Sequence, residues 1–299
     1  IYATETRSLI GSFNFTVNDF RRDSKLFHIR YTLPGSYFHY APDASYFRLT
    51  PMVQWRIRED DFRNNRRQMW MARSVNVFRE SSEFTVNETE NYSVFNLKYI
   101  DTDTEMTRHF SYNADLQISN LFGKLFAEVE FRHLNQNNRQ FNLRAFAGMF
   151  LYRQTNNDFF GFHLDRPSDY MFDFPLYGRS ESSGFFSQQL VMAEGGFKSR
   201  MMQPIANQWM STLNGSASLW KWIEIYSDVG LVKSDNLSPK LYYDAGIRLN
   251  IVTDYFEIYF PIHSSLGWEI GQLNYEERIR FMLTLNPKVL TRLFTRSWF

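Results

Sequence analysis

Along most of the chain, apolar and polar residues alternate with a period of two. Over 241–251, one series reads Leu241, Tyr243, Ala245, Ile247, Leu249 and Ile251, and the other reads Tyr242, Asp244, Gly246, Arg248 and Asn250. A strand sends successive side chains to opposite faces, so the two series are two faces of one strand. A helix would mix Asp244 and Arg248 into the apolar stripe. The split recurs elsewhere. Leu125, Ala127, Val129 and Phe131 oppose Lys124, Glu128, Glu130 and Arg132, while Phe141, Leu143, Ala145, Ala147, Met149 and Leu151 oppose Gln140, Asn142 and Arg144. Ile223, Ile225, Val229 and Leu231 oppose Glu224, Tyr226 and Asp228. Ile279, Phe281, Leu283 and Leu285 oppose Arg278, Arg280, Met282 and Thr284.

The pattern predicts thirteen strands, near 7–16, 25–33, 46–58, 68–79, 92–101, 105–118, 123–134, 139–152, 208–219, 222–232, 240–252, 255–262 and 277–286. Connections such as 101–104, 136–138 and 253–254 are too tight for a crossover, so neighbours run antiparallel, up and down. At the end of the chain Pro287 stops the last strand. Leu290, Leu293 and Phe294 then fall at i, i+3 and i+4, with Lys288, Arg292 and Arg296 between them. Residues 287–299 therefore read as a short amphipathic interfacial tail. The competing reading makes 290–299 one more strand.

Two all-β architectures fit this pattern: a soluble sandwich or barrel, and a transmembrane barrel. Many of the strands reach ten residues or more, and a tilted strand needs roughly 9–11 to cross a bilayer. Trp70, Trp209, Trp220, Trp222, Tyr255, Tyr259 and Trp268 sit near strand ends, where amphipathic rings meet headgroups. The expected fold is an all-β, antiparallel, up-and-down transmembrane β-barrel over 1–286. Bacterial single-chain barrels have even strand numbers, so thirteen needs repair. Either 7–16 lies outside, giving twelve strands, or one more hides near 186–198, giving fourteen. The stretch 153–207 reads as a long loop acting as lid or plug. Leu241, Ile247, Leu249, Ile251, Ile279, Phe281 and Leu283 are the expected membrane-facing residues. Glu128, Glu130, Arg132, Arg144, Asp228, Asp244, Arg248, Arg278 and Arg280 are the expected polar network of the lumen. Both signs occur there in similar number, which suits internal pairing better than a selective pore.

Composition narrows the chemistry. The chain has 299 residues with 33 basic against 32 acidic, so nothing marks it for nucleic acid. Aromatic residues make up 18% of the chain, yet its mean hydropathy is only −0.43. Alternating barrel strands give such an average, and no run approaches the roughly 18 apolar residues of a membrane helix. Cysteine is absent, which removes disulfides, thiolate nucleophiles and zinc–thiolate sites. The six histidines form no His-Glu-x-x-His, and no two lie three or four apart. "DRPSDYMFD" gathers Asp165, Asp169 and Asp173 but lacks the glycine bend and terminal Glu of a calcium loop. There is no Gly-x-Ser-x-Gly elbow. No catalytic centre rises above background in these residues, and no cofactor is expected in this segment. The first residues carry no signal-peptide pattern, and nothing before Arg7 resembles a natural start, so a fragment of a longer chain is expected.

Several stretches resemble a known family: "NNRQFNLRAFAGMFLY", "DFFGFHLDRPSDYMFDFPLYGRSESSGFFSQQLVMAEGGFKS", "SPKLYYDAGIRLNIVTDYFEIYFPIHSSLGWEI" and "YEERIRFMLTLNPKVLTRLF". Together they look like the carboxy-terminal region of the large membrane-associated gluzincin, aminopeptidase-like metallopeptidases of Bacteroidetes-type bacteria. The resemblance covers nearly the whole chain. It implies a Gram-negative outer membrane, with the lipid bilayer and other outer-membrane or periplasmic proteins as partners. It also implies a zinc site, His-Glu-x-x-His with a downstream Glu, in an upstream domain that these residues do not include. The expected function is thus a barrel that anchors a metallopeptidase-like domain, within a larger envelope complex. The rivals are a channel or transporter, and a non-enzymatic subunit of an outer-membrane assembly or secretion machine.

Overall fold

The computed structural model describes residues 10–21, 25–41, 44–58, 65–80, 91–135, 137, 139–156, 158–174, 176–177, 183–235, 237–252 and 255–283. The chain forms β1 (Ile10–Phe20), β2 (Leu26–Ala41), β3 (Ala44–Leu49), β4 (Met52–Ile57), β5 (Arg67–Glu80), β6 (Asn91–Thr104), β7 (Arg108–Ile118), β8 (Phe122–Leu134) and β9 (Gln140–Arg153). A two-residue pair follows, β10 (Phe162–His163) and β11 (Ile205–Ala206). Then come β12 (Trp209–Ser218), β13 (Ile223–Lys233), β14 (Lys240–Val252), β15 (Phe256–Ser264), β16 (Gly267–Trp268) and β17 (Arg280–Leu283). All but β10 and β11 join one antiparallel sheet of 15 strands, in which β9 pairs β12 across the intervening segment. There is no α-helix among the described residues.

The expected strand 46–58 is broken. Pro51 has no N–H to give to a ladder, so β3 ends before it and β4 begins after it. Both halves keep the same neighbours, β2 and β5. Around the break Thr50 N donates to Pro34 O at 2.9 Å and Ser74 N to Pro51 O at 3.0 Å. Taken as one broken strand, and with two-residue β16 set aside, the sheet has thirteen strands among the described residues. Neither expected repair of that number occurs among the described residues. β1 belongs to the sheet, paired with β2 from Ile10↔Phe38 to Phe20↔His28. Over 186–198 there is no wall strand, but a 3₁₀ turn (Phe185–Gln188) followed by irregular chain with a turn at 194–195. The expected tail, 287–299, lies outside the described residues.

The alternation sorts inside from outside. Across β13 and β14, Glu224↔Arg248, Tyr226↔Gly246, Asp228↔Asp244 and Gly230↔Tyr242 share one face and are buried. Ile225↔Ile247, Val229↔Tyr243 and Leu231↔Leu241 share the other face and are exposed or half-exposed. Leu241 keeps 58% of its surface and Ile251 48%, whereas Asp244 keeps none. Charges lie inside and apolar side chains outside, the reverse of a sheet that packs in water.

The segment 158–206 covers the buried face. Its Phe160 and Tyr170 cluster with Tyr46, Val75, Val77, Tyr92, Val94 and Phe122 of the wall. Its Phe162, Leu164, Phe197 and Met201 cluster with Phe146, Met210, Val232 and Tyr242, and its Leu190 packs on Tyr226 and Tyr259. One cavity is lined by Glu130 of β8 and by Met282 of β17, which stand six steps apart in strand order. A flat sheet would hold those strands about 29 Å apart at ~4.8 Å per step, so the sheet curls around the segment. At one end of the sheet lie the short connections 105–107, 135–139, 219–222 and 253–255. At the other lie the short connections 42–43 and 119–121, the longer 234–239 and 265–279, and both ends of the inner segment.

Candidate functional site

The site is the polar interior, where wall side chains grip the inner segment. At the β3–β5 side, Asp173 pairs with Arg73 at 2.5 Å and Arg48 at 3.5 Å. Arg48 also donates to the carbonyls of Met171 at 2.8 Å and Phe172 at 2.6 Å. Phe172 sits at φ 55°, a left-handed backbone that few non-glycine residues adopt, with its ring against Phe38 and Tyr46. The Asp169 carboxylate caps the same turn, accepting from the N–H groups of Asp173 and Phe174.

Lys124 projects inward from β8 into an aromatic cage. Its Nζ lies 4.4 Å from the Phe162 centroid, 4.8 Å from Tyr170, 5.1 Å from Phe150 and 5.6 Å from Phe122. Rings present their negative faces to a cation, which partly replaces the lost hydration. Lys124 Nζ also donates to Gly161 O at 3.3 Å and Tyr170 Oη at 3.2 Å. Burial pushes the Tyr170 hydroxyl well above its ordinary value, so it stays protonated and donates onward to Gln117 Oε1.

Arg144 of β9 holds the turn 193–196. It donates to Glu194 O at 2.8 Å and Asn214 Oδ1 at 2.9 Å, and it pairs with Glu128 at 2.5 Å. Asn214 of β12 returns a bond to Gly195 O at 3.0 Å. A Cβ on Gly195 would stand 2.4 Å from Leu164 Cα, and Gly196 has φ +66°, so "GG" is dictated by backbone contact and turn geometry. Glu194 accepts from His163 N at 2.6 Å. Burial pushes its carboxyl up to about 7, against the pull of Lys124 and of that N–H. Burial likewise lowers the His163 imidazole.

Two further groups line β12 to β15. Asp228 and Asp244 are directly opposed in register. Like charges so placed repel, and Lys198 comes between them from the inner segment. Its Nζ reaches both Asp228 oxygens at 2.7 and 2.8 Å, while Lys198 N and Ser199 N bond Asp244 Oδ2 at 2.9 and 2.7 Å. Next along, Arg248 lies 2.8 Å from Glu224 and 3.5 Å from Glu257. Asn250 and Ser218 add bonds to Glu224, and Tyr259 donates to Glu257.

The expected network residues thus part company. Glu128, Glu130, Arg132, Arg144, Asp228, Asp244, Arg248 and Arg280 face inward, and Glu130 pairs with Arg132 at 2.6 Å. Arg278 does not join them. It follows the 3₁₀ turn Tyr275–Glu277 and bonds Glu269, because β17 begins only at Arg280. Among the expected membrane-facing residues, Leu241, Ile247, Leu249 and Ile251 lie on the outward face. Ile279 precedes the strand. Phe281 and Leu283 share the outward face with Ile258 and Phe256, but Phe281 is buried beneath the ring of Phe185. Sequence reasoning put Lys124 on the polar face but left it out of the expected network, and it missed Lys198, Asp173 and Glu194. Lys124 shares a face with Glu128 and follows Phe122, which was the available signal for it. Nothing local marked Lys198.

The unfilled part of the interior is a cavity of about 290 Å³ between the inner segment and β8–β17. Its charges are paired as described above, and it holds no nucleophile–base pair. Among the described residues no three His, Asp or Glu side chains approach closely enough to hold a metal ion. The donor set for a zinc ion is therefore not offered by these residues. In comparisons with known proteins, no family model and no curated protein matches the chain.

Proposed function

We propose that the chain is the wall and plug of an outer-membrane β-barrel in a Gram-negative bacterium. In this reading it is a membrane anchor with a filled lumen, serving a metallopeptidase-like domain carried elsewhere in the full protein. The observation that carries the reading is the inverted burial. Leu213, Ile225, Val229, Leu231, Leu241 and Ile251 are exposed outward, while Glu224, Asp228, Asp244 and Arg248 are buried inward. In water, so continuous an apolar exterior would aggregate; in a bilayer it is the favoured surface. The short-turn end would face the periplasm and the long-loop end the exterior. The filled interior favours an anchor over an open channel. The peptidase partner rests on the family resemblance alone.

Reconstitution into vesicles of brominated phospholipid tests this. The tryptophans should be quenched by the acyl chains, and a planar bilayer should stay electrically silent. A chain that remains monodisperse without detergent, with unquenched tryptophans, would refute the membrane reading. Steady single-channel steps from the intact chain would refute the filled-lumen anchor in favour of a channel.

A further inference from the structure

β17 ends one side of the curled sheet and β1 the other. Among the described residues β1 bonds only β2. β17 uses one edge for β15, and its other edge is bonded by the inner segment. Leu190 N donates to Phe281 O at 2.7 Å, and Gln189 forms a parallel bridge with Phe281. Phe281 shares its outward face with Ile258. The Phe185 ring stacks on it at 4.4 Å and 14°, while itself remaining 65% exposed. Ser187 and Gln189 are buried. The stretch 185–190 therefore runs from the interior to the outer face alongside β17.

The fastening here differs from that at Asp173 and Lys198. Asp173 and Lys198 are held by ion pairs. At β17, buried Arg280 donates to the carbonyls of Gln188 at 3.1 Å, Asp165 at 3.1 Å and Gln189 at 3.2 Å. Among the described residues it has no carboxylate partner. A guanidinium buried on carbonyls alone is less fully compensated than a buried ion pair. Wetting this contact relieves that deficit, whereas wetting Asp173 or Lys198 breaks a pair.

We propose that 185–190 is a latch on a lateral seam of the wall. It satisfies the edge of β17 in place of a neighbouring strand, and its release lets lipid acyl chains reach that edge between β17 and β1. The opening to lipid rests on the membrane reading above; the latch itself rests only on these contacts.

The cysteine-free chain allows single nitroxide labels at Ser183→Cys beside the latch, Met202→Cys elsewhere on the segment, and Ile225→Cys on the outer face. In vesicles, Arg280→Gln should raise mobility and oxygen accessibility several-fold at 183 and leave 202 unchanged. Phe185→Ser, a change at an exposed ring, should do the same to a smaller degree and serves if Arg280→Gln does not fold. No change at 183 in a folded variant overturns the latch, as does equal loosening at 202, which would mean that the segment moves as one body. If the Ile225 label shows no preference for oxygen over an aqueous relaxant, the membrane reading and the opening to lipid both fail. Mobility at 183 still decides the latch in that case.

Discussion

Removing the ammonium of Lys198 isolates one term of the interior. Asp228 and Asp244 face each other across β13 and β14, both buried, with Lys198 Nζ 2.7 Å from Asp228. Lys198→Met keeps much of the side-chain volume and takes the charge away. Asp228 and Asp244 lie within side-chain hydrogen-bond reach of each other, so without the ammonium they repel strongly enough that one must hold a proton. Removing one partner of a buried pair costs about 3–5 kcal/mol by mutational precedent. On that precedent Lys198→Met should destabilise the fold by about 3–5 kcal/mol. Asp228→Asn placed on top of it removes the repulsion and should restore more than half of the loss. Urea unfolding in lipid vesicles, followed by tryptophan fluorescence, measures both variants. A loss below about 1 kcal/mol, the scale of an exposed pair, would refute the reasoning. So would a double variant no better than the single one, since the carboxylate pair would then not be the strained element.

Three further outcomes are expected. Ile247→Arg on the outward face should block insertion, at about 2–4 kcal/mol for a charge near the midplane, whereas Asn142→Ala in the cavity should insert normally; equal insertion yields would contradict the assigned faces. Glu194 has a raised carboxyl at about 7, so its contribution is present below its ordinary range and lost as pH climbs through 7. Protease cleavage within 183–206 should rise between pH 5 and 8, and Glu194→Gln should flatten that rise. Gly195→Ala sets a Cβ 2.4 Å from Leu164 Cα and should cost about 1–3 kcal/mol, read as a lowered unfolding midpoint.

The wall was legible because period-two alternation is a local signal. The faces of β13 and β14 follow directly from Ile225, Val229 and Leu231 against Glu224, Tyr226 and Asp228. The break at Pro51 escaped because both halves keep the same neighbours, so alternation on either side looks like one strand. The start of β17 was misplaced for another reason. Arg278 and Ile279 continue the alternating pattern, but the 3₁₀ turn before them delays pairing to Arg280. The inner segment was the least legible part. Asp165, Asp169 and Asp173 recur every four residues without the rest of a calcium loop, which left their partners open. In the fold they diverge: Asp165 accepts from Met201 N, Asp169 caps its own turn, and Asp173 binds Arg48 and Arg73 of the wall. Long-range partners decide such roles, and no window of sequence contains them.

The inner segment lies between β9 and β12 in the chain, and those strands pair with each other, Trp209 opposite Met149. Both of its stems therefore rise from adjoining points on one rim. A covering segment at a chain terminus can be withdrawn and lost; this one is held at both ends by paired strands. Whatever loosens it leaves it tethered over its own socket, at the high effective concentration of a short linker. Reseating then needs no encounter between molecules, and its rate is independent of protein concentration.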